Sequence, residues 1–185
     1  YFGDAYTDGG FMASRDGREF EFWDEAFIRP GPAAAQRWIY GDNFTALGIL
    51  QTTVGKTGSE EELSIHVGEG LFRQCRLRRY RMRLDGFVSA QAPISGGELV
   101  TKPIKMSGKT LRLNFASSAA GQIRVEIQSA DGGVIPGFAL ADCQEVFGDE
   151  IDRIVKWKSS DVSSLAGKPI RLRFRIQDAD LFAYR

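Results

Sequence analysis

Trp23-Asp24-Glu25 is the most site-like triplet in the chain. An indole offers a flat apolar face on which a sugar ring can stack, and neighbouring carboxylates accept hydrogen bonds from hydroxyls. Hydrolysing a glycoside asks for more, namely two carboxyl groups about 5 to 10 Å apart across the scissile bond. A plainer reading makes the triplet a strand edge, with Trp23 packed between sheets and both acids in water. Trp38, Tyr40 and Trp157 are further candidates for sugar stacking. Against them stands the ordinary role of large aromatic residues, which is to fill cores.

Asp142, Glu145, Asp149, Glu150 and Asp152 crowd one loop. Hard carboxylate oxygens suit Ca2+, and Asp142, Asp149 and Glu150 are the candidate metal ligands, although the spacing matches no EF-hand. No motif requires a cofactor, so a structural Ca2+ is weighed only against a solvated acidic loop. Asp178 and Asp180 allow the same two readings. Gly31-Pro32-Ala33-Ala34-Ala35 and Gly132-Gly133 fit neither GxGxxG nor the Walker pattern, which argues against nucleotide binding. The single histidine, His66, has no serine or cysteine signature that would make it a catalytic base. Glu69 lies between Gly68 and Gly70 and is expected to reach a central funnel only if the chain is part of a propeller.

Six arginines, Arg73, Arg76, Arg78, Arg79, Arg81 and Arg83, fall within eleven residues. Such a run reads either as a basic patch or as the face of a half-buried strand, since Leu77, Tyr80 and Met82 are interleaved with it. Arg171, Arg173 and Arg175 alternate with Ile170, Leu172, Phe174 and Ile176 and allow an anion-binding row or a solvated face. Twenty-four basic residues balance twenty-four acidic ones. No net field therefore draws the chain to nucleic acid or to an anionic membrane. Cys75 and Cys143 lie too far apart for a CxxC motif, and both pairing and two free thiols remain open.

With 43% hydrophobic and 26% charged residues, the composition is that of a folding chain. No apolar run approaches the ~20 residues of a membrane helix. The first residues lack signal-peptide character, so a targeting signal is expected elsewhere. The chain opens without Met in strand-like sequence and stops at Arg185 directly after Leu181-Phe182-Ala183-Tyr184. That reads as a piece of a longer protein, with a tryptic type of end. Turn signals recur every eight to twelve residues or so, the rhythm of sandwiches, barrels and propellers. Asp16-Gly17 between alternating segments predicts a hairpin. Ala33 to Trp38 reads as a turn or short helix. Strands are expected at Thr45–Thr53, Leu63–Val67, Leu77–Leu84, Glu98–Thr101, Thr110–Ala116, Gln122–Ser129, Ile151–Trp157 and Ile170–Ile176, with one helical turn at Val162–Ala166. The reading is an all-β chain: hairpins over 1–84 and an antiparallel β-sandwich, jelly-roll or concanavalin-like, over 85–185.

Two stretches carry a resemblance. Gly10-Phe11-Met12-Ala13-Ser14-Arg15-Asp16-Gly17-Arg18-Glu19-Phe20 and Glu25-Ala26-Phe27-Ile28-Arg29-Pro30-Gly31 resemble a blade of the five-bladed propellers of glycoside hydrolase families 32 and 43. Leu84-Asp85-Gly86-Phe87-Val88-Ser89, Thr101-Lys102-Pro103, Ile135-Pro136-Gly137-Phe138, Asp142-Cys143 and Gly167-Lys168-Pro169-Ile170 resemble the sandwich that follows such propellers in bacterial proteins. The resemblance implies a secreted or periplasmic protein that meets carbohydrate, with the remaining N-terminal blades as partner. Such propellers draw three catalytic carboxylates from several blades, and this chain holds no "NDPNG"-like segment, so no catalytic acid is carried over. The implied role is an accessory region without turnover of its own. A stand-alone carbohydrate-binding module and a purely structural or interaction domain are the alternatives.

Overall fold

The computed structural model describes residues 5–32, 37–54, 60–71, 75–158 and 161–185. The protein is all-β, with antiparallel sheets, and no helix among the described residues is long and apolar enough to cross a membrane. It divides into two compact units, Tyr1–Leu84 and Asp85–Arg185. At the junction Asp85 takes a φ of 55°, a left-handed conformation that aspartate tolerates better than most residues.

The first unit begins with an antiparallel pair, β1 (Gly9–Ala13) and β2 (Glu21–Ile28). The turn between them is built by Asp16, whose Oδ1 accepts the backbone N–H groups of Arg18 and Glu19 at 2.8 and 3.0 Å. Ser14 Oγ accepts the N–H of Gly17, and Gly17 itself sits at φ 72°. Those two backbone donors, Glu19 first, and the Ser14 hydroxyl hold the Asp16 carboxyl below its ordinary range. Four strands follow: β3 (Phe44–Thr45), β4 (Leu50–Val54), β5 (Glu60–Glu69) and β6 (Arg76–Arg83). β5 is central, with β4 along its first half and β3 at its last residues on one edge and β6 on the other. The single strand expected over Thr45–Thr53 is thus two short strands, with Gly48 at φ 97° between them. Ala33 to Gln36 and Arg73 lie outside the described residues.

The apolar core of this unit is small. Ile28, Ile65 and Val67 are buried, with Phe27, Tyr80 and Met82 packed against them. Met12, Phe22, Phe44, Leu47 and Leu77 are all more than half exposed, Leu47 completely so.

The second unit is one six-stranded sheet built on two long strands, β10 (Arg112–Ser129) and β12 (Pro169–Tyr184). β7 (Ala90–Ala92), β8 (Gly97–Val100) and β9 (Ile104–Lys105) pair in series along β12, while β11 (Asp149–Ile154) pairs with β10. The segments 110–116 and 122–129, expected as separate strands, are one strand interrupted by a bulge. There Ser118 to Gly121 face Asp178 alone, and Asp178 takes φ 43°. An extra residue reverses which parity points inward. Accordingly Ile170, Leu172, Phe174 and Ile176 face the core before Asp178, and Ala179 and Leu181 after it. Gly121 has no room for a side chain, since a Cβ there would lie 2.2 Å from the carbonyl oxygen of Asp178. Leu113, Phe115, Ile123, Val125 and Ile127 of β10 complete the buried layer with Phe138, Val146, Val155 and Trp157. Each fully buried side chain of this kind contributes about 1.5 to 3 kcal/mol. A one-turn 3-10 helix, Val162–Leu165, is capped by Asp161, which accepts the Ser163 N–H, and adds Val162 and Leu165 to the core.

Candidate functional site

β2 brings Trp23 to an open cavity of about 620 Å3 whose walls include Arg15, Asp16, Glu19, Phe20 and Glu21. Side chains two apart on a strand share a face, so Glu21 stands beside Trp23 while Asp24 points away. The indole leans on Phe11, ring centres 5.1 Å apart, and Phe11 in turn on Phe27 at 5.4 Å. The aromatic wall is therefore braced from behind. The Glu19 and Glu21 carboxylates form no ion pair among the described residues. Asp24 and Glu25, the acids singled out from the sequence, are exposed, and neither lines the cavity; Glu25 pairs loosely with Arg29 at 3.6 Å. Glu25 is also two residues from Trp23, but the pairing of β1 with β2 shifts register beyond Trp23, and of the acids on β2 only Glu21 lines the cavity.

The end of β5 carries a second cluster. Glu69 is completely buried, and its two oxygens meet four donors. Tyr80 Oη donates to Oε1 at 2.8 Å, Arg37 Nη1 stands 2.9 Å from Oε1, and the Nε atoms of Arg76 and Arg78 approach Oε2 at 2.9 and 3.0 Å. Burial alone would push the Glu69 carboxyl up. Its hydrogen bonds from Tyr80 and Arg76 and the charges of Arg37 and Arg78 outweigh that and hold it below the usual range. Burial, and the carboxylate it donates to, push the Tyr80 phenol up. Asp42, also fully buried, lies 3.4 Å from Arg37 and accepts the Gly70 N–H at 2.7 Å. Thr7 pins this loop, accepting the Gly41 N–H on Oγ1 and the Asn43 amide on its carbonyl. Glu69 is thus bound within the unit rather than extended into an opening. Trp38, in the same loop, is half exposed, donates to the Gly31 carbonyl at 3.0 Å and packs against Tyr6 at 5.3 Å.

On the opposite face of β5, Glu62 holds Arg79 at 2.7 Å and Arg81 at 3.3 Å. The arginine run is accordingly divided between two faces of the sheet, as strand alternation requires.

In the second unit the alternating arginines form an ion-pair ladder. Arg173 bridges Glu98 at 2.8 Å and Glu126 at 3.2 Å, Arg175 reaches Glu98, and Arg171 donates to the carbonyls of Ala130 and Thr101. Glu126 is buried, and burial would raise its carboxyl. Hydrogen bonds from Gln128, Arg173 and the Leu140 N–H bring it below the usual range instead.

Trp157 is 6% exposed, donates its indole N–H to the Val125 carbonyl at 3.0 Å and meets Phe138 edge-on. It is a core residue and offers no face to a ligand. Among the described residues, no three His, Cys, Asp or Glu side chains converge as a metal would need. Asp149 is taken up in the pairing of β11 with β10, Glu150 pairs with Arg153, and Asp142 sits in the preceding turn. Neighbours in sequence, these acids are dispersed by the strand. Cys143 is buried and free, Cys75 exposed and free.

Compared with protein families, with curated proteins and with solved structures, the chain matches none.

Proposed function

We propose that this chain is an accessory region of a glycoside-hydrolase-like protein, engaging carbohydrate without cleaving it. In this reading the first unit corresponds to a propeller blade and the second to a β-sandwich of the jelly-roll or concanavalin-like kind. The observation that carries it is the groove on β2, where the braced Trp23 and Phe20 lie beside Glu19 and Glu21. A sugar ring has an apolar face and a rim of hydroxyls. A binding site of this kind needs an apolar wall and a few placed polar groups. Rigid aromatics supply the wall at little entropic cost, and carboxylates accept from hydroxyls. The same reading places the chain outside the cell or in the periplasm.

A second reading, an interaction domain that docks on further blades, is favoured by the exposed Met12, Phe22, Phe44, Leu47 and Leu77. Scattered exposed apolar residues are ordinary, but Met12 and Phe22 stand opposite each other on β1 and β2, and Phe44 and Leu77 flank Gly68 of β5, apolar pairs that suit cover by a partner.

The test is calorimetric titration of the full chain with neutral oligosaccharides. Saturable binding that Trp23→Ala weakens about tenfold or more supports the carbohydrate reading. No binding to any glycan, with the chain gaining stability only on contact with a blade-containing partner, selects the docking reading.

A further inference from the structure

We infer that Arg76 and Arg78, held together by Glu69, form a receptor for the carboxylate or sulfate group of an acidic polysaccharide. This names a ligand class for the carbohydrate reading above and rests on it.

Both Nε atoms approach one oxygen, Glu69 Oε2, at 2.9 and 3.0 Å. A guanidinium anchored through Nε keeps its two Nη groups for other partners, in the fixed fork that matches an oxyanion. The two side chains are 56% and 53% exposed, while the carboxylate that fixes them is wholly buried. No second acid contacts either arginine among the described residues. Arg37, Arg76 and Arg78 face Glu69 and Asp42, which leaves one positive charge in excess beside solvent.

The loop that delivers Arg37 and Asp42 also presents Trp38 and Tyr40, each about half exposed, with Trp38 braced by Tyr6. This loop is tied to β6 through Glu69, which meets Arg37 of the loop and Arg76 and Arg78 of the strand.

Among the described residues the other arginine groups differ: Arg79 and Arg81 are also held by one acid, Glu62, but through Nη2 and Nη1, so their outer nitrogens are already engaged. Arg173 and Arg175 are matched by Glu98 and Glu126. Arg112 and Arg185 share Asp152, an acid that is itself 41% exposed and so fixes neither. Nucleic acid, the other large polyanion, suits a chain with net positive charge, and this one has none.

The experiment titrates the 185-residue chain with oligogalacturonate, a chondroitin sulfate oligosaccharide, a neutral cello-oligosaccharide and an oligothymidylate of matched charge, at low and high salt. The variants are Arg76→Gln, Arg78→Gln and, as control, Arg153→Gln. Acidic sugars should bind more tightly than the neutral one and weaken with salt. Either β6 variant should cost about tenfold or more, from the loss of one charge-assisted hydrogen bond, with the control unchanged. Circular dichroism checks folding, since Arg37 and Tyr80 still hold Glu69 in each variant. If a variant unfolds, the Nε–H resonances of Arg76 and Arg78 in the unaltered chain decide, by shifting or not on addition of galacturonate. Neutral and acidic sugars bound equally, with both variants indistinguishable from the unaltered chain, overturns the receptor and leaves the carbohydrate reading standing. Loss of binding to every sugar overturns both, and oligothymidylate bound as tightly as the sugars overturns the assignment of ligand class.

Discussion

Glu69→Gln keeps the size of the side chain and removes its charge. Tyr80 can turn its hydroxyl to accept from the new amide, which leaves the carbonyl oxygen for Arg76 and Arg78. Arg37 then faces an NH2 group 2.9 Å away where it had an anion. Its side chain is only 14% exposed, so water replaces the lost partner poorly, and Asp42 at 3.4 Å and the Pro30 carbonyl are what it keeps. Removing one member of a buried ion pair costs about 3 to 5 kcal/mol. Arg76 and Arg78 can hydrate, which places the expectation near the lower end, about 3 kcal/mol. Because the chain has two units, hydrogen exchange read by mass spectrometry on proteolytic fragments is the suitable assay. A cost of about 3 kcal/mol is about two powers of ten in protection. β5 and β6 should lose that much while β10 and β12 keep theirs. A loss below about threefold in β5, or an equal loss in β10, would refute the claim that this cluster holds the first unit together.

Four further outcomes follow from the same geometry. Trp157→Ala should destabilise the second unit by about 3 to 5 kcal/mol, seen as a lowered thermal midpoint, and should leave glycan binding by the folded chain intact. Gly121→Ala should cost more than about 2 kcal/mol, since the methyl would meet the Asp178 carbonyl at 2.2 Å and the bulge would have to shift. Glu69 and Glu126 both titrate below the ordinary 4.5 when folded, so their stabilisation is full above that pH and fades as pH falls through the lowered native values; Glu69→Gln and Glu126→Gln should each flatten the acid limb of a stability profile. A thiol reagent should modify one cysteine, Cys75, at once in the native chain and reach Cys143 only on unfolding, because Cys143 is buried and burial pushes its thiol up.

Local signals in the sequence survive best. Ser14-Arg15-Asp16-Gly17 makes its turn from contacts within five residues, and the alternation of Gln122–Ser129 and Ile170–Ile176 gives the buried face directly. The all-β class follows from such patterns. The union of two predicted strands into β10 was hidden because Ser118-Ala119-Ala120-Gly121 reads as a turn, and only the pairing with β12 shows it as a bulge. Trp23 was legible as an aromatic on a strand. Which acids stand beside it was not, because Glu21 and Glu25 are both two residues away and only the register shift beyond Trp23 separates them. Trp157 read either as a stacking face or as core, and what decides it for the core is Val125 and Phe138, 32 and 19 positions away. The Glu69 cluster joins residues 37, 42, 69, 76, 78 and 80, and neither the glutamate's position between glycines nor the arginine run shows that they meet.

The most direct test of the account is a glycan array probed with the 185-residue chain, beside a hydrolysis assay on the same sugars. Saturable binding to a subset of glycans with no turnover is the expected result. Turnover, or an array without a single saturable ligand, would contradict it.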